Sequence, residues 1–266
     1  MRLDGRVVVI TGATGGIGRA LVDRCAAAGA RVAAADLDPA RVAALGAQCG
    51  DGHLAAVCDV SDRDAVSDLV ARVRAELGPI DVFVANAGIA EGTDPVSTPD
   101  AVWQRALAVN VRAHVFAARE LLPAWLDRGE GYFVSVASAA GLLTQIGSAP
   151  YAVSKQAAVA FAEWLSVTYG SRGVRVSCVC PMGVATAMLE PGQDGALDDV
   201  GRQVVRAAGP VLAPGAVADA IVDGIDAERF LILPHPEVLT YFQRKAADYD
   251  RWLAGMRRLQ DAVAKT

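Results

Sequence analysis

The chain has 266 residues, of which 53% are hydrophobic and 21% charged, with a net charge of −5 and a pI near 5.2. This length fits one large α/β domain or two small ones, and the composition excludes an intrinsically disordered chain. Nucleic acid is not expected as the main partner, because phosphate binding needs a concentrated basic surface and the basic residues here are scattered. No apolar run approaches the ~20 residues that cross a bilayer, and we expect neither a transmembrane segment nor a signal peptide.

The cysteines indicate a reducing environment. They are odd in number and form no CxxC pair; they are Cys25, Cys49, Cys58, Cys178 and Cys180. Several lie inside apolar runs, which is typical of reduced core residues in a cytoplasmic protein. We expect no metal.

Short β-rich runs alternate with longer helical patterns along the chain. The predicted strands are mostly apolar, as in strands covered on both faces, and occupy residues 6–11, 31–36, 53–58, 80–85, 131–137, 174–180 and 229–233. Helical patterns occupy residues 15–29, 39–49, 62–77, 98–127, 149–171 and 214–226. This alternation predicts an α/β fold: a doubly wound, seven-stranded parallel sheet with helices on both faces, in a single domain.

Two regions depart from the alternation. Residues 181–212 form a long connection rich in Pro, Gly, Met and Leu, which we interpret as an active-site lid, with a flexible loop as the alternative. Residues 236–266 form a helical tail with apolar and basic residues at helical spacing, which predicts packing on the domain or on a partner subunit. A membrane-surface helix is the alternative for the tail. Residues 1–235 are expected to hold the nucleotide site, the catalytic site and the substrate loop.

The first predicted strand runs into a glycine-rich turn that opens the first helix. Glycines there let the backbone approach a pyrophosphate, and the helix N-terminus offers N–H groups and a positive dipole end. The turn therefore predicts a dinucleotide site, although a purely structural turn would also use glycine. Its cofactor-binding residues are predicted to be Gly12, Thr14, Gly15, Gly16, Ile17 and Gly18.

Asp36 ends the second predicted strand, about 20 residues beyond the glycines. A carboxylate there can accept both hydroxyls of the adenine ribose and would repel a 2′-phosphate. Because neither Thr14 nor Leu37, the expected neighbours of the ribose, is basic, we expect NAD(H) rather than NADP(H). The alternative is that Asp36 only begins a turn with Asp38 and Pro39.

Two further strand ends carry small or polar residues. Asp59 and Val60 follow the third strand, where adenine is expected to bind, and Asn86, Ala87 and Gly88 follow the fourth, beside the expected centre of the cofactor. Ligands of open α/β sheets bind at the carboxyl ends of the strands. Taken separately, each residue could equally stabilise its own loop.

Tyr151 and Lys155 are four positions apart in a predicted helix, which places them on one face about 6 Å apart. A neighbouring ammonium favours the phenolate, so we expect Lys155 to lower the pKa of Tyr151 and allow proton exchange with a substrate oxygen. Ser138 lies thirteen positions earlier (151 − 138) and could donate to the same oxygen. Asn110 lies inside a helix, where Asn is an indifferent former, and could hold a relay water. Structural roles are the alternative for each.

These residues resemble the classical short-chain dehydrogenase/reductase family up to about Pro234. The TGxxxGxG motif of the family matches Thr11, Gly12, Gly16 and Gly18, and its NAG motif matches residues 86–88. Its tetrad falls on Asn110, Ser138, Tyr151 and Lys155. Its PGxVxT segment is represented by Pro181, Val184 and Thr186, with Met182 in place of the usual Gly and Gly183 following.

The resemblance implies a Rossmann fold and hydride transfer between a nicotinamide cofactor and an alcohol or ketone. It implies Tyr151 as acid/base, Ser138 as oxyanion donor, Asn110 as anchor of a relay water, and the 181–186 segment over the nicotinamide carboxamide. It also implies a homodimer or homotetramer built on the helix that carries Tyr151. Glycines 12, 15 and 18 also fit the TGxxGxxG of extended relatives such as sugar epimerases, but the short length, the NAG motif and the Ser–Tyr spacing favour the classical branch.

The expected pocket wall is apolar and consists of Leu142, Leu143, Ile146, Met182, Met188, Leu189 and Leu212. No clustered Arg or Lys accompanies these residues to bind a carboxylate or phosphate. We therefore expect a hydrophobic secondary alcohol or ketone as substrate, although core packing would explain the same residues. Two other functions stay open: an NAD-dependent isomerase or epimerase, and a non-catalytic NAD-sensing or scaffold protein.

Overall fold

The structure is a computed structural model that describes residues 1–50, 52–190, 192 and 197–263. Its strands form one sheet in the order β3-β2-β1-β4-β5-β6-β7, and every neighbouring pair is parallel. The strands are β1 Val7–Thr11, β2 Arg31–Asp36, β3 Leu54–Val57, β4 Val82–Ala85, β5 Gly131–Val136, β6 Val174–Val179 and β7 Leu231–Ile232. All seven predicted strands are confirmed, with bounds that differ by at most two residues.

Helices cover both faces of the sheet. They are α1 Gly16–Ala27, α2 Pro39–Gly46, α3 Arg63–Glu76, α4 Asp100–Leu107, α5 Ala113–Arg128, α6 Ala140–Leu143, α7 Ala149–Tyr169, α8 Asp199–Ala208, α9 Pro214–Asp226, α10 Glu237–Ala247 and α11 Tyr249–Val263. Short 3₁₀ turns occupy Gly170–Arg172 and Ala187–Leu189. The single helix predicted over residues 98–127 is interrupted by a π-helical segment, Ala108–Arg112, between α4 and α5.

Two hydrophobic cores lie on opposite faces of the sheet because successive residues of a strand point to opposite sides. Val7 and Val9 of β1 belong to the core beneath α3, α5 and α7, whereas Val8 and Ile10 belong to the core beneath α1 and α9. All five cysteines are free, and only Cys49 is more than slightly exposed. The sheet is therefore covered on both faces, as its apolar strands predicted.

The start of α7 positions the residues of greatest interest. Ser148 is its N-cap and accepts a hydrogen bond from the Tyr151 N–H at 3.4 Å, and Pro150 lies in the first turn, where proline costs no hydrogen bond. Ser148 Oγ also donates to Glu91 O at 3.1 Å, which ties this helix start to the loop after β4. Tyr151 is thereby held in the first turn of α7 and Lys155 one turn further on.

The strand order reverses between β1 and β4. The chain leaves β1 towards β2 and leaves β4 towards β5, so a crevice opens at the carboxyl ends of these two neighbours. The glycine turn follows β1, and residues 86–88 follow β4. The fold thus brings the two predicted nucleotide motifs together at the switch point.

Two regions outside the regular alternation are more structured than the sequence indicates. The connection 181–212 contains the 3₁₀ turn at Ala187–Leu189, helix α8 and a parallel bridge between Val184 and Leu212, so it is more ordered than a plain loop. The tail forms two helices, because Asp248 adopts an extended backbone and accepts a hydrogen bond from the Arg251 N–H at 2.9 Å. Within the described ranges, no helix combines the length and apolarity that crossing a bilayer requires.

Candidate active site

The glycine turn after β1 requires glycine on steric grounds. Gly12 has a φ of 63°, and a Cβ there would lie 2.9 Å from Ala87 Cα. A Cβ on Gly18 would overlap the Gly12 carbonyl, so a side chain would push α1 away from the turn. Helix α1 has no side-chain cap and no acidic residue in its first turn, which leaves its N-terminal N–H groups facing the turn. This uncapped glycine cradle fits the pyrophosphate of a dinucleotide.

Asp36 holds the glycine turn as well as ending β2. Its Oδ2 accepts hydrogen bonds from the Thr14 N–H at 2.8 Å and the Thr14 hydroxyl at 2.7 Å, and its Oδ1 accepts from the Leu37 N–H at 2.7 Å. The carboxylate therefore lies beside the turn, where an adenine ribose would bind. Arg41 of α2 reaches the same place and donates to Thr14 O at 2.6 Å. Sequence reasoning considered only Thr14 and Leu37 as neighbours of the ribose and missed Arg41, because α2 folds this residue back over the turn.

The ends of β3 and β4 differ in what they contribute. Asp59 Oδ1 accepts from the N–H and the hydroxyl of Ser61, so it stabilises its own loop. Val60 beside it is buried. Asn86 Nδ2 instead donates to Thr11 O at 2.8 Å and Gly12 O at 3.2 Å, and thereby ties β4 to the glycine turn.

Ser138, Tyr151 and Lys155 are buried around one cavity of about 390 Å³ at the carboxyl ends of the strands. Lys155 Nζ donates to Val136 O at 2.9 Å and lies 5.7 Å from the centre of the Tyr151 ring. The same cavity reaches Ile17, Asn86, Gly88 and Thr186. It therefore joins the nucleotide motifs to the three predicted catalytic side chains.

Burial changes the acidity of these groups in the protein itself. It raises the pKa of Tyr151 above its usual value, although a hydrogen bond with Ser138 acts in the opposite direction. Burial lowers the pKa of Lys155 from 10.5 to about 8. In the protein alone, desolvation of the phenolate outweighs the other causes, so the net pKa of Tyr151 is raised, and a lowering of this pKa by Lys155 stays a prediction.

Asn110 lies in the π-helical segment, a local irregularity common at functional sites. Its Nδ2 donates to Ile89 O at 2.8 Å and to Ser154 Oγ at 2.9 Å, and its Oδ1 accepts from the Ile89 N–H at 3.0 Å. Both amide hydrogens are therefore used within the protein. The side chain joins the loop after β4 to α7, and any relay water would have to bind its remaining acceptor sites.

The segment after β6 is fixed by a residue that sequence reasoning missed. His235 Nδ1 accepts from the Met182 N–H at 3.1 Å, so its Nε2 carries the proton and lies 3.0 Å from Gly183 O and 3.2 Å from Pro210 O. Pro181 O accepts from the Ala139 N–H at 2.8 Å. A Cβ on Gly16 would meet the Thr186 methyl group, so this segment reaches the glycine turn despite Met182.

The cavity wall is apolar, as predicted, but its members differ. Leu143, Met182, Met188 and Leu189 line it, whereas Leu142, Ile146 and Leu212 do not. Helices α8, α10 and α11 supply a wall that sequence reasoning missed; it consists of Val204, Val205, Ala207, Ala208, Tyr241, Arg244, Trp252, Met256 and Leu259. Arg244 is a basic residue of this wall that sequence reasoning did not anticipate, although it forms no cluster with other basic residues. Helical spacing alone did not show which surface the tail covers.

The turn after α6 adds polar character to this cavity. Thr144 has a φ of 88°, a conformation that residues other than glycine rarely adopt, and it lines the cavity together with Gln145. Gln145 Nε2 donates to Ile146 O at 2.8 Å. Strained backbone of this kind is commonest at ligand sites.

A buried serine, tyrosine and lysine beneath a dinucleotide cradle define the class of nucleotide-dependent oxidoreductases. Residues 6–196 match the family model described as short chain dehydrogenase, and the chain belongs to this family. The protein is accordingly an oxidoreductase that acts on CH–OH groups.

Similar proteins support this assignment. The chain is 34% identical to 3β-hydroxysteroid dehydrogenase 2 of Eggerthella lenta over 202 residues, which cover 73% of this chain and 78% of the relative. It is 34% identical to D-threitol dehydrogenase of Mycolicibacterium smegmatis over 226 residues, which cover 83% and 86%. A short-chain dehydrogenase/reductase of Burkholderia phymatum, solved in complex with NAD, superimposes with a TM-score of 0.84 at 27% identity, covering 94% of this chain and 96% of that one.

Proposed function

We propose that the protein is an NAD(H)-dependent oxidoreductase that interconverts a hydrophobic secondary alcohol and its ketone. The observation that carries this proposal is the single apolar cavity that joins Ser138, Tyr151 and Lys155 to the glycine turn. The cofactor, when bound, supplies the hydride acceptor at its nicotinamide ring. The residues predicted to bind it lie around the switch point, and they include Gly12, Asp36, Asn86, Gly88, Pro181, Gly183, Val184 and Thr186.

Tyr151 exchanges the proton of the reacting oxygen. In alcohol oxidation its Oη accepts the hydroxyl proton while the carbon-bound hydrogen leaves as hydride; in ketone reduction it donates that proton. Ser138 donates a hydrogen bond to the same oxygen and stabilises the charge that develops there. Since burial holds Tyr151 protonated, the positive charges of Lys155 and of the oxidised nicotinamide are needed to favour its phenolate during oxidation. Lys155 also binds the nicotinamide ribose.

NAD(H) is proposed over NADP(H) because of the carboxylate of Asp36. A 2′-phosphate beside this group would face like-charge repulsion, and the hydroxyls of an unmodified ribose could share its oxygens. Arg41 is the opposing influence, since its guanidinium could meet a phosphate. Arg41 is exposed and bonded to Thr14 O, so we expect the closer carboxylate to dominate.

The proposed substrate is apolar because the cavity that holds the catalytic residues is lined mainly by Met, Leu, Val and Ala side chains. The names of the similar proteins include both a hydroxysteroid and a polyol dehydrogenase, so sequence similarity alone does not decide between these substrate classes. Burying apolar substrate surface in such a wall contributes roughly 25 cal/mol per Å². A small polyol would gain little of this energy.

The test is the absorbance of NADH, measured with NAD⁺ or NADP⁺ and a panel of secondary alcohols that runs from butanediol to hydroxysteroids. We expect turnover with NAD⁺ and bulky alcohols, and its loss in Tyr151→Phe, which keeps the ring but removes the hydroxyl. Asp36→Ser should raise the ratio of kcat/KM for NADP⁺ to kcat/KM for NAD⁺ at least tenfold over the wild type. Arg41→Gln should lower this ratio below the wild-type value.

The panel also distinguishes the other functions. The proposal would be contradicted if the protein bound the cofactor but neither reduced NAD⁺ with any alcohol of the panel nor oxidised NADH with the corresponding ketone. An isomerase or epimerase would convert its substrate with no net change in NADH, and a sensor or scaffold protein would bind cofactor only. Rapid turnover of small polyols without turnover of bulky ketones would contradict the apolar substrate.

We also propose a cytoplasmic homo-oligomer. Free, mostly buried thiols suit a reducing compartment. Val153, Trp164 and Val167 of α7 expose 50%, 53% and 86% of their surfaces, and a second subunit packed on this helix would cover them. Light scattering should give a dimer or tetramer, and Val167→Glu should yield smaller species, whereas a monomeric wild type would contradict this assembly.

A further inference from the structure

The tail forms one wall of the substrate cavity. Tyr241 and Arg244 of α10 and Trp252, Met256 and Leu259 of α11 line it together with the predicted catalytic residues. None of these residues belongs to the segment 6–196 that carries the family motifs. This part of the cavity wall therefore lies outside the segment that the family model matches.

Helix α10 is fixed on both sides of Arg244. The Tyr241 hydroxyl donates to Ala208 O of α8 at 3.1 Å. Lys245 is buried, and its Nζ donates to Leu142 O of α6 at 2.7 Å. Because both bonds anchor the turn that carries Arg244, the backbone beneath this guanidinium is preorganised rather than free.

The charges around the cavity are all positive. Among the described residues that line it, the charged side chains are Lys155 and Arg244, and no carboxylate is present. Lys155 is already bonded to Val136 O beside Tyr151. In the part of the chain that the structure describes, the Arg244 guanidinium has no ion pair and no hydrogen bond.

Trp252 of the same wall carries a buried polar atom. Its indole Nε1 is buried and has no hydrogen-bond partner among the described residues. An indole N–H can only donate, and a buried donor without an acceptor costs about 1–3 kcal/mol. Among the described residues that line the cavity, the tail therefore contributes one positive charge, on Arg244, and no carboxylate.

We propose that Arg244 binds a carboxylate of the substrate that is remote from the reacting carbon. The substrate would then be an apolar hydroxy acid and its product the corresponding oxo acid, with the apolar body lying along Met188, Leu189 and Val205. A carboxylate beside the reacting carbon would instead lie among Ser138, Tyr151 and Lys155, and Lys155 is already bonded to Val136 O. A single guanidinium balances one negative charge, which favours a carboxylate over a doubly charged phosphate. This inference rests on the proposed alcohol–ketone activity.

The test compares two acids with their methyl esters: a 3β-hydroxysteroid with a side-chain carboxylate, and 12-hydroxyoctadecanoate. Wild type should have a lower KM for at least one acid than for its ester. Arg244→Gln should raise that KM about tenfold with little change in kcat, because the lost contact is equally present in the ground and transition states. Arg244→Lys should restore most of the difference. Added salt should raise the KM of the acid only, since Arg244 is exposed.

Arg257→Gln is the matched control, because Arg257 is an exposed arginine of α11 that does not line the cavity. It should leave the KM for the acid unchanged. Equal KM values for acid and ester in the wild type, or an equal effect of Arg244→Gln on both, would overturn the carboxylate proposal and leave the alcohol–ketone activity standing.

Calorimetry separates the two proposals if neither acid nor ester reacts. The acids are then titrated into NADH-loaded wild type and Arg244→Gln. Binding that weakens about tenfold in the variant supports the carboxylate site even though the proposed activity fails. Equal binding to both proteins, or no binding to the wild type, overturns it.

Discussion

His114 should make the protein sensitive to acid. It lies in α5, one helical turn beyond Asn110, and is 1% exposed. Its Nδ1 lies 3.1 Å from Ser135 Oγ, while Nε2 has no partner within the described residues. Burial lowers the pKa of His114 to about 3, and the charge of Lys155 acts in the same direction. Below pH 6.5 the unfolded chain therefore binds a proton that the native state does not.

The size of this effect follows from the two pKa values. At pH 5 an unfolded histidine of pKa 6.5 is protonated and the native His114 is neutral, so the unfolded state is favoured by 1.36 × (6.5 − 5), about 2 kcal/mol. At pH 7 the contribution is close to zero. Stability is thus fully present above pH 6.5 and is lost progressively as the pH falls towards 3.

Urea denaturation at pH 7 and pH 5 measures this contribution. In His114→Asn, the loss of unfolding free energy between the two pH values should be about 2 kcal/mol smaller than in the wild type. The difference between pH values is independent of what the substitution costs in packing. The control is Phe116→Leu, a buried residue of the same helix without a titratable group, which should keep the pH dependence of the wild type. Identical pH dependence in His114→Asn and wild type would refute the reasoning.

Three further outcomes are expected. Gly18→Ala should weaken NAD⁺ binding and lower Tm, because the new Cβ would overlap a carbonyl of the glycine turn. Gly15→Ala is the control, since its Cβ would make only an ordinary contact and its effects should be smaller. Equal effects of the two variants in calorimetry would contradict this. Between pH 8 and 10.5, Lys155 is protonated in the unfolded chain but neutral in the native state. The unfolding free energy of the wild type should therefore increase by about 3 kcal/mol as the pH rises from 8 to 10.5, and this increase should be absent in Lys155→Met. Parallel plots of unfolding free energy against pH for the two proteins would contradict this. Ser154→Ala should cost about 1–3 kcal/mol of unfolding free energy by leaving an amide hydrogen of Asn110 unpaired, and an unchanged urea midpoint would exclude that role.

The strands and the nucleotide motifs could be predicted because local sequence determines them. A run such as 7–11 is apolar on both faces, and a turn that requires Gly12 and Gly18 leaves little choice of residue. The four-residue spacing of Tyr151 and Lys155 likewise needs only a helix. In each case the constraint acts within a few residues, which is why a pattern can be recognised without knowledge of the fold.

The remaining features depend on how distant segments pack. His235 reaches Met182 across 53 positions of chain, and Lys245 reaches Leu142 across 103. Arg41 folds back 27 positions to Thr14. No local pattern distinguishes these side chains from ordinary surface or linker residues. The same holds for Arg244, which shares its cavity with residues from segments as distant in the chain as Ile17 and Leu259.

The separate origin of the cavity walls has a consequence for the history of such enzymes. Ser138 lies just after β5, and Tyr151 and Lys155 lie on α7, which packs against the sheet, so many substitutions around them would also disturb the fold. Another part of the cavity wall lies on α10 and α11, which contribute no strand to the sheet. Substrate preference can therefore diverge through substitutions in the final two helices while hydride transfer is preserved unchanged. Descendants of one ancestor could share every reacting residue and still oxidise chemically unrelated alcohols.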